Sequence, residues 1–271
     1  MRRVALKVAY VGSDFYGFQR QPNLRTVEGE IIDALKKVGL IEQVENCSYR
    51  IAGRTDRGVH ALGNVFSFLT EEEVILNQIN DALPKDIKIL GQAKVPYGFK
   101  PRFAENRHYR YLIVDQYIEN PDFNLERMIL ASEIFKGTHN FKNFSKRSER
   151  NPLRTVKQVS IQKNRDVITV DVEGESFLWN MVRKMVAVLL NIGNGDLDLK
   201  EIQEYFDPEK QVSIKPMPPE GLILMDITYS GLQFKYDLYA KKKFISCLME
   251  KYIYQKTIAA IEEDMLRILM D

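Results

Sequence analysis

The stretch FLWNMVRKMVAVLLN, residues 177 to 191, most limits what this chain can fold into. Wound as a helix it is apolar almost all round, and such a helix has to be buried rather than laid on a surface. The chain has the means to bury it. Its 271 residues, 45% hydrophobic and 28% charged, allow one large domain or two of medium size with a substantial core. One residue does not fit. On the helix, Arg183 has Trp179, Asn180, Val186 and Ala187 as neighbours, with Leu190 on the same side two turns along. A guanidinium in such company either snorkels to water past its apolar stem or meets an anion. In the second case it needs a carboxylate or a phosphate, and Asp56 is a candidate.

The remaining patterns decide the fold class. Val4, Leu6, Val8 and Tyr10 alternate as in a strand over residues 3 to 10, with Lys7 on the opposite face. Residues 11 to 23 are loop-like. Thr26 caps a helix whose stripe is Val27, Ile31, Leu35 and Val38. A strand leads into the Asp56 region, others cover 64 to 70 and 86 to 95, and a helix over 72 to 83 ends at Pro84. Residues 107 to 114 form a strand with Tyr109, Tyr111 and Ile113 on one face and His108, Arg110, Leu112 and Val114 on the other. A helix follows at 123 to 136, then a hairpin of 155 to 163 and 167 to 173 around Lys163, Asn164 and Arg165. The apolar helix runs on to residue 192, a short helix comes next, and 222 to 229 is the closing strand. Helices and strands do not alternate regularly, so the class is α+β with a mostly antiparallel sheet. The chain divides into two similar halves, 1–105 and 106–230, and a largely helical extension, 231–271.

Net charge is only +2, but its distribution is uneven. Lys142, Lys146, Arg147, Arg150, Arg154, Lys157, Lys163 and Arg165 face a single acid, Glu149, with Phe141 and Phe144 at the start of the run. Such a stripe suits phosphate contacts, or is a solvated loop. Cys47 and Cys247 stand far apart, and His60, His108 and His139 are scattered, so no metal site is expected and a reducing compartment is. Lys7 interrupts the N-terminal apolar run, which makes a poor signal peptide. Residues 177 to 192, broken by Arg183 and Lys184, are too short to span a membrane. The expectation is a cytoplasmic protein with no membrane association.

The segment IAGRTDRGVHALG, residues 51 to 63, sets Asp56 between Arg54 and Arg57, bracketed by Gly53 and Gly58. Glycines permit a tight turn. By itself this is a surface turn with a local ion pair worth about 0–1 kcal/mol.

Six separated motifs change that reading. GRTDRGVHA, YVGSDFYGFQRQPN followed by TVEGEI, RHYRY, GTHNFKNF, FLWNMVR and PPEGLILMDITY together span about residues 3 to 229. In this order they resemble the TruA-type tRNA pseudouridine synthases. The chain departs from the family pattern at Val11, Phe18, Arg57 and Asn140, and the resemblance does not reach the tail from about 231. It implies a pseudouridine synthase fold, with helices on the outer faces and an active-site cleft between the halves. It implies isomerisation of uridine in tRNA, in the anticodon stem-loop (tRNA positions 38 to 40), by base flipping, cleavage of the N1–C1′ bond and rejoining through C5. Asp56 is then the catalytic nucleophile or base, Arg183 its buried bidentate partner, and Tyr109, in preference to Tyr111, the ring that packs on the target base. Arg54, Arg57, His60, Arg107, Lys142, Lys146, Arg147, Arg150 and Arg154 become RNA contacts. No cofactor is implied, and a homodimer is.

Two other classes remain. A nucleoside or glycoside hydrolase using Asp56 would need a second carboxylate nearby, whereas the motif is cationic. A non-catalytic RNA-binding or RNA-folding protein would keep the basic residues without needing Asp56, Tyr109 and Arg183 together.

Overall fold

A computed structural model of the chain describes residues 1–114, 118, 120–146 and 151–270. The first half supplies β1 (Arg2–Tyr10), α1 (Val27–Lys37), the short β2 (Arg50–Ile51), β3 (His60–Thr70), α2 (Leu76–Ala82) and β4 (Ile87–Val95). The second supplies β5 (Asn106–Val114), α3 (Leu125–Ile134), β6 (Gly137–Asn140), β7 (Leu153–Asn164), β8 (Val167–Gly174), α4 (Met181–Asn194), α5 (Ile202–Tyr205) and β9 (Leu222–Thr228). The tail adds β10 (Lys235–Tyr236) and α6 (Leu238–Met270).

The strands form one ten-stranded sheet in the order β10-β4-β1-β3-β9-β5-β8-β7-β6, with β2 paired to β3 beside this path. Every neighbouring pair is antiparallel except one. At the middle, β3 and β9 run parallel, with His60 opposite Ile223 and Ala61 opposite Leu224. That parallel step joins the strands of the two halves, so the sheet is α+β in class and continuous across them. Helices pack in pairs, α1 with α2 and α3 with α4; α2 lies on β4, α4 on β5 and α3 on β7.

Thr26 caps α1 as the sequence implies, its hydroxyl accepting from the Gly29 amide. The β7–β8 hairpin turns one residue later than expected, with Arg165 at φ 52°. Helix α2 begins at Leu76 rather than near residue 72, and the short strand β6 was not anticipated. Lys7 departs from simple alternation. It is buried, its ammonium bonded to Asp226 of β9 and lying over the rings of Phe234 (4.7 Å) and Tyr236 (5.7 Å). The tail folds back over this face of β1, so the polar side of the strand is covered too.

Candidate active site

The sheet register brings the first pieces together. Ala61 on β3, Leu224 on β9 and Tyr109 on β5 lie level across three strands. The turn carrying Asp56 immediately precedes β3, so it stands at the strand ends beside Tyr109. The turn is closed by the Val59 amide donating to the Asp56 carbonyl, and Gly58 takes φ 84°. Gly53 does not enter the left-handed region.

The stem of this turn is fixed by buried polar groups. The Tyr10 and Thr55 hydroxyls are 2.8 Å apart. Asn64 donates from one amide nitrogen to the Tyr10 hydroxyl at 3.2 Å and to the Gly53 carbonyl at 3.1 Å. Burial pushes the Tyr10 phenol far above its usual range, which keeps it a neutral hydrogen-bonding group. The 11–23 loop lies against the same turn. Phe18 donates its amide to the Thr55 carbonyl at 3.0 Å, and Gly17, at φ 95°, passes so close that a Cβ there would sit 3.0 Å from that oxygen. Backbone conformation and space both call for glycine at this point.

Arg183 comes from the other side. Helix α4 starts at Met181, four residues later than the apolar pattern suggests, because Asn180 adopts φ 67° and breaks the helical path. Arg183 therefore lies in the first turn, and Trp179 precedes the helix. Met181, Val182, Met185 and Val186, in the same turns of the helix, are buried. The guanidinium is held at three points: Nε donates to the Met217 carbonyl at 2.6 Å, and one terminal nitrogen donates to Asn180 Oδ1 at 3.1 Å and Asp56 Oδ2 at 3.3 Å. The Met217 amide in turn donates to the Arg183 carbonyl. The contact with Asp56 uses one oxygen, not two, and the same terminal nitrogen is shared with Asn180. Arg183 is 12% exposed and Asp56 29%, so the cleft admits water to the carboxylate.

Tyr109 is buried beneath this pair, its ring edge-on to Phe177 at 5.2 Å. Burial, with the nearby Asp56 charge adding and Arg107 opposing, pushes its phenol up to about 12. Tyr111 on the same strand face is locked away: its hydroxyl donates to the Pro218 carbonyl at 2.7 Å and its ring packs on Gly221.

The expected RNA contacts divide. Arg54 and Arg57 flank Asp56 and are exposed, and the Arg57 guanidinium lies over the Tyr16 ring at 4.4 Å. Lys146 lies over Trp179 at 4.4 Å, and Lys142 donates to the Pro208 carbonyl. Arg154 donates to the carbonyls of Asn151 and Leu153. Arg147 and Arg150 lie outside the described residues. His60 is half-buried: its Nδ1 accepts from the Gly12 amide, and burial pulls its pKa down, with the Glu220 carbonyl opposing. Arg107 departs most from expectation. It is buried, and its guanidinium donates to the backbone carbonyls of Ala52, Arg102 and Glu175, tying β5 to the strand before Asp56 rather than offering charge to solvent. Asn180, Met217, Tyr10 and Asn64 were missed. Only their placement in space, not their spacing, marks them.

Among the described residues no group of three or more His, Cys, Asp or Glu is arranged to hold a metal ion, and no helix is long and apolar enough to cross a membrane. A carboxylate, a guanidinium and an aromatic ring thus meet at the strand ends of a mixed sheet, where the carboxylate stays open to water. Known proteins narrow this. The family model described as tRNA pseudouridine synthase matches residues 131–230. A tRNA pseudouridine synthase A of Methanosphaera stadtmanae is 48% identical, covering 93% of each chain. That of Methanothermobacter thermautotrophicus is 47% identical, covering 98% of this chain and 95% of the relative; that of Pyrococcus furiosus is 41% identical, covering 97% of each. The chain belongs to the tRNA pseudouridine synthase family, and it is an isomerase that turns uridine into pseudouridine in tRNA.

Proposed function

We propose that Asp56 opens the N1–C1′ bond of a uridine turned out of the tRNA anticodon stem-loop, with Arg183 orienting it and Tyr109 as the floor for the freed uracil. The observation that carries this reading is the ion pair between Asp56 and Arg183, residues 127 apart in sequence, directly beside Tyr109. The target base is stacked in RNA and must first be extruded. A carboxylate then either adds to C1′ or takes a proton from C2′ to leave a glycal. Uracil turns on the ring of Tyr109 and rejoins through C5, which then loses its proton while N1 takes one up. Everything that leaves the ribose returns to it, so the rearrangement draws on no cofactor.

Around the cleft, Arg54 holds the RNA open after the uridine leaves its stack. Arg57 and Tyr16 together offer a flat cationic and aromatic surface to a neighbouring base. Lys142, Lys146 and Arg154, with Arg147 and Arg150, contact phosphate. His60 and Arg107 serve this site by holding its backbone. The enzyme works as a homodimer in the cytoplasm.

Incubation of defined tRNA transcripts with the enzyme, followed by mapping of pseudouridine, tests the reading. The wild type is expected to modify the anticodon stem-loop. Asp56→Asn is expected to form no pseudouridine at long times in excess over RNA, while binding tRNA within a few-fold of wild type. Turnover by Asp56→Asn removes the catalytic assignment; modification elsewhere in the tRNA removes the site assignment alone.

A further inference from the structure

The chain passes from one half to the other through a loop, residues 96 to 104. It is built as two turns, closed by the Phe99 amide on the Pro96 carbonyl and the Phe103 amide on the Lys100 carbonyl. Its inner residues are pinned. Phe99 packs edge-on to Tyr229 at 5.1 Å, and the Tyr229 hydroxyl donates to the Pro101 carbonyl at 2.8 Å. Arg3 and Arg50 donate to the carbonyls of Tyr97 and Phe99 at 2.7 and 2.8 Å. Held in this way, the loop still leaves two rings in water: Tyr97 is 66% exposed and Phe103 67%. A single exposed apolar side chain is ordinary. A ring held out on a pinned loop beside two cations is not. The Lys100 ammonium lies 5.8 Å, and the Arg102 guanidinium 5.2 Å, from the centre of the Phe103 ring.

The loop is also tied to the candidate active site. The buried Arg107 guanidinium that bonds the Arg102 carbonyl at 2.8 Å bonds those of Ala52 and Glu175 as well. Ala52 lies four residues before Asp56, and Glu175 two before Phe177, whose ring meets Tyr109. Lys157 of β7 donates to the Glu105 carbonyl at 2.8 Å. Phe103 is therefore fixed relative to Asp56 and Tyr109 through the backbone of both halves.

Charge and flatness select the occupant. Lys100, Arg102 and Lys157 are exposed here against Glu105 and Glu175, with Arg50 half-buried. The surplus favours an anion. Aromatic rings beside cations suit single-stranded nucleic acid, whose bases stack on the ring while its backbone meets the charge. A paired base keeps its faces inside the helix, so the occupant is an unpaired one. Lifting the target uridine out of its stack frees a face of each neighbour. We infer that Phe103 is a stacking platform for an unpaired base of the tRNA strand that carries the target uridine, with Lys100 and Arg102 on the adjoining phosphates. The inference rests on the placing of that uridine at Asp56.

Binding of a defined tRNA transcript at several salt concentrations tests it, with wild type, Phe103→Ala, Phe103→Leu, Phe103→Trp and Arg102→Gln. Circular dichroism and light scattering verify that each variant keeps its fold and mass. Phe103→Ala and Phe103→Leu are expected to bind about 5- to 100-fold more weakly, the worth of one stacked base. Their salt slope should equal that of wild type, because stacking releases no counterions. Phe103→Trp, which keeps a flat ring, should bind like wild type. Arg102→Gln should lower the slope by about 0.7–0.9. Wild-type affinity in Phe103→Ala or Phe103→Leu overturns the platform, and so does a Phe103→Trp that binds no better than Phe103→Ala. A changed mass overturns it too, by giving the ring to a protein contact, and an unchanged slope in Arg102→Gln overturns the phosphate contact. Turnover by Asp56→Asn removes the placing of the uridine without moving these affinities, so the two readings fail separately.

Discussion

Asp56 is held from the sheet side by polar groups, whereas Arg183 stands on a helix that is anchored mainly by packing. Beneath Asp56 lie the Tyr10, Thr55, Asn64 and Gly53 hydrogen bonds and the close passage of Gly17. Met181, Val182, Met185 and Val186 bury the first turns of α4, which carries Arg183, and Asn180 and Met217 aim its guanidinium. The difference has a mechanical consequence. A buried polar network is directional and loses its geometry when one member goes, whereas an apolar shell tolerates changes that keep its volume. The sheet side fixes where the reacting carboxylate stands; the helix side supplies a charge that can be aimed at it.

The largest expected effect lies at the meeting point. Asp56→Asn should lower pseudouridine formation by about 10⁴-fold or more, as loss of a reacting group does. Arg183→Met comes next. It keeps an apolar stem of similar length and removes the charge, and activity is expected to fall by about 10²–10³-fold, the scale of a lost electrostatic contact. Loss of one partner from a fully buried pair costs about 3–5 kcal/mol. Asp56 is 29% exposed, so the stability loss should be about 1–3 kcal/mol. Urea melts of both single variants and the double variant close a cycle. If the two residues are coupled, Asp56→Asn recovers part of the stability lost in Arg183→Met; strictly additive losses would mean that the contact carries no energy.

A smaller pair of substitutions compares the two sides directly. Tyr10→Phe keeps the ring and leaves Thr55 and Asn64 short of a partner, at a cost of about 1–3 kcal/mol. Asn180→Gly keeps the positive φ and removes only the oxygen that aims Arg183, so its stability cost should be under about 1 kcal/mol. Thermal or urea unfolding orders them. Asn180→Gly proving the more damaging would reverse the assignment of polar and packed sides.

These differences also explain what a linear sequence can reveal. The Tyr109 face follows from strand alternation, and Arg183 is conspicuous as a charge in an apolar helix that has to reach water or an anion. Both signals are local. Lys7 misleads because its cover, Phe234 and Tyr236, arrives from the far end of the chain, and no period within β1 encodes that. The start of α4 misleads for another reason. Residues 177 to 180 are apolar enough to continue the helical pattern, yet Asn180 turns left-handed, and Asn is among the few residues that do so cheaply. Arg107 reads as an RNA-facing charge because the carbonyls that bind it, from Ala52, Arg102 and Glu175, belong to three different segments.

The smallest expected change in activity concerns the floor of the cleft. Tyr109 is 9% exposed and its phenol is pushed up to about 12, against about 10 in an unfolded chain. Below pH 10 both states keep the proton, and stability gains no pH dependence from this residue. Between pH 10 and 12 the unfolded chain loses the proton first, so unfolding becomes easier as pH rises, by about 2–3 kcal/mol over the window. Tyr109→Phe lacks that loss. Urea melts at pH 7, 10 and 11 should therefore show the variant falling less steeply than wild type, with the other buried tyrosines contributing equally to both. If the two curves run parallel, the phenol is not shielded as the structure places it. At pH 7 to 9 the hydroxyl is neutral and the ring is the working part, so Tyr109→Phe should change pseudouridine formation only a few-fold. Tyr109→Leu, which removes the flat face, should lower it further. An inactive Tyr109→Phe would give the hydroxyl, not the ring, the part assigned here to a platform.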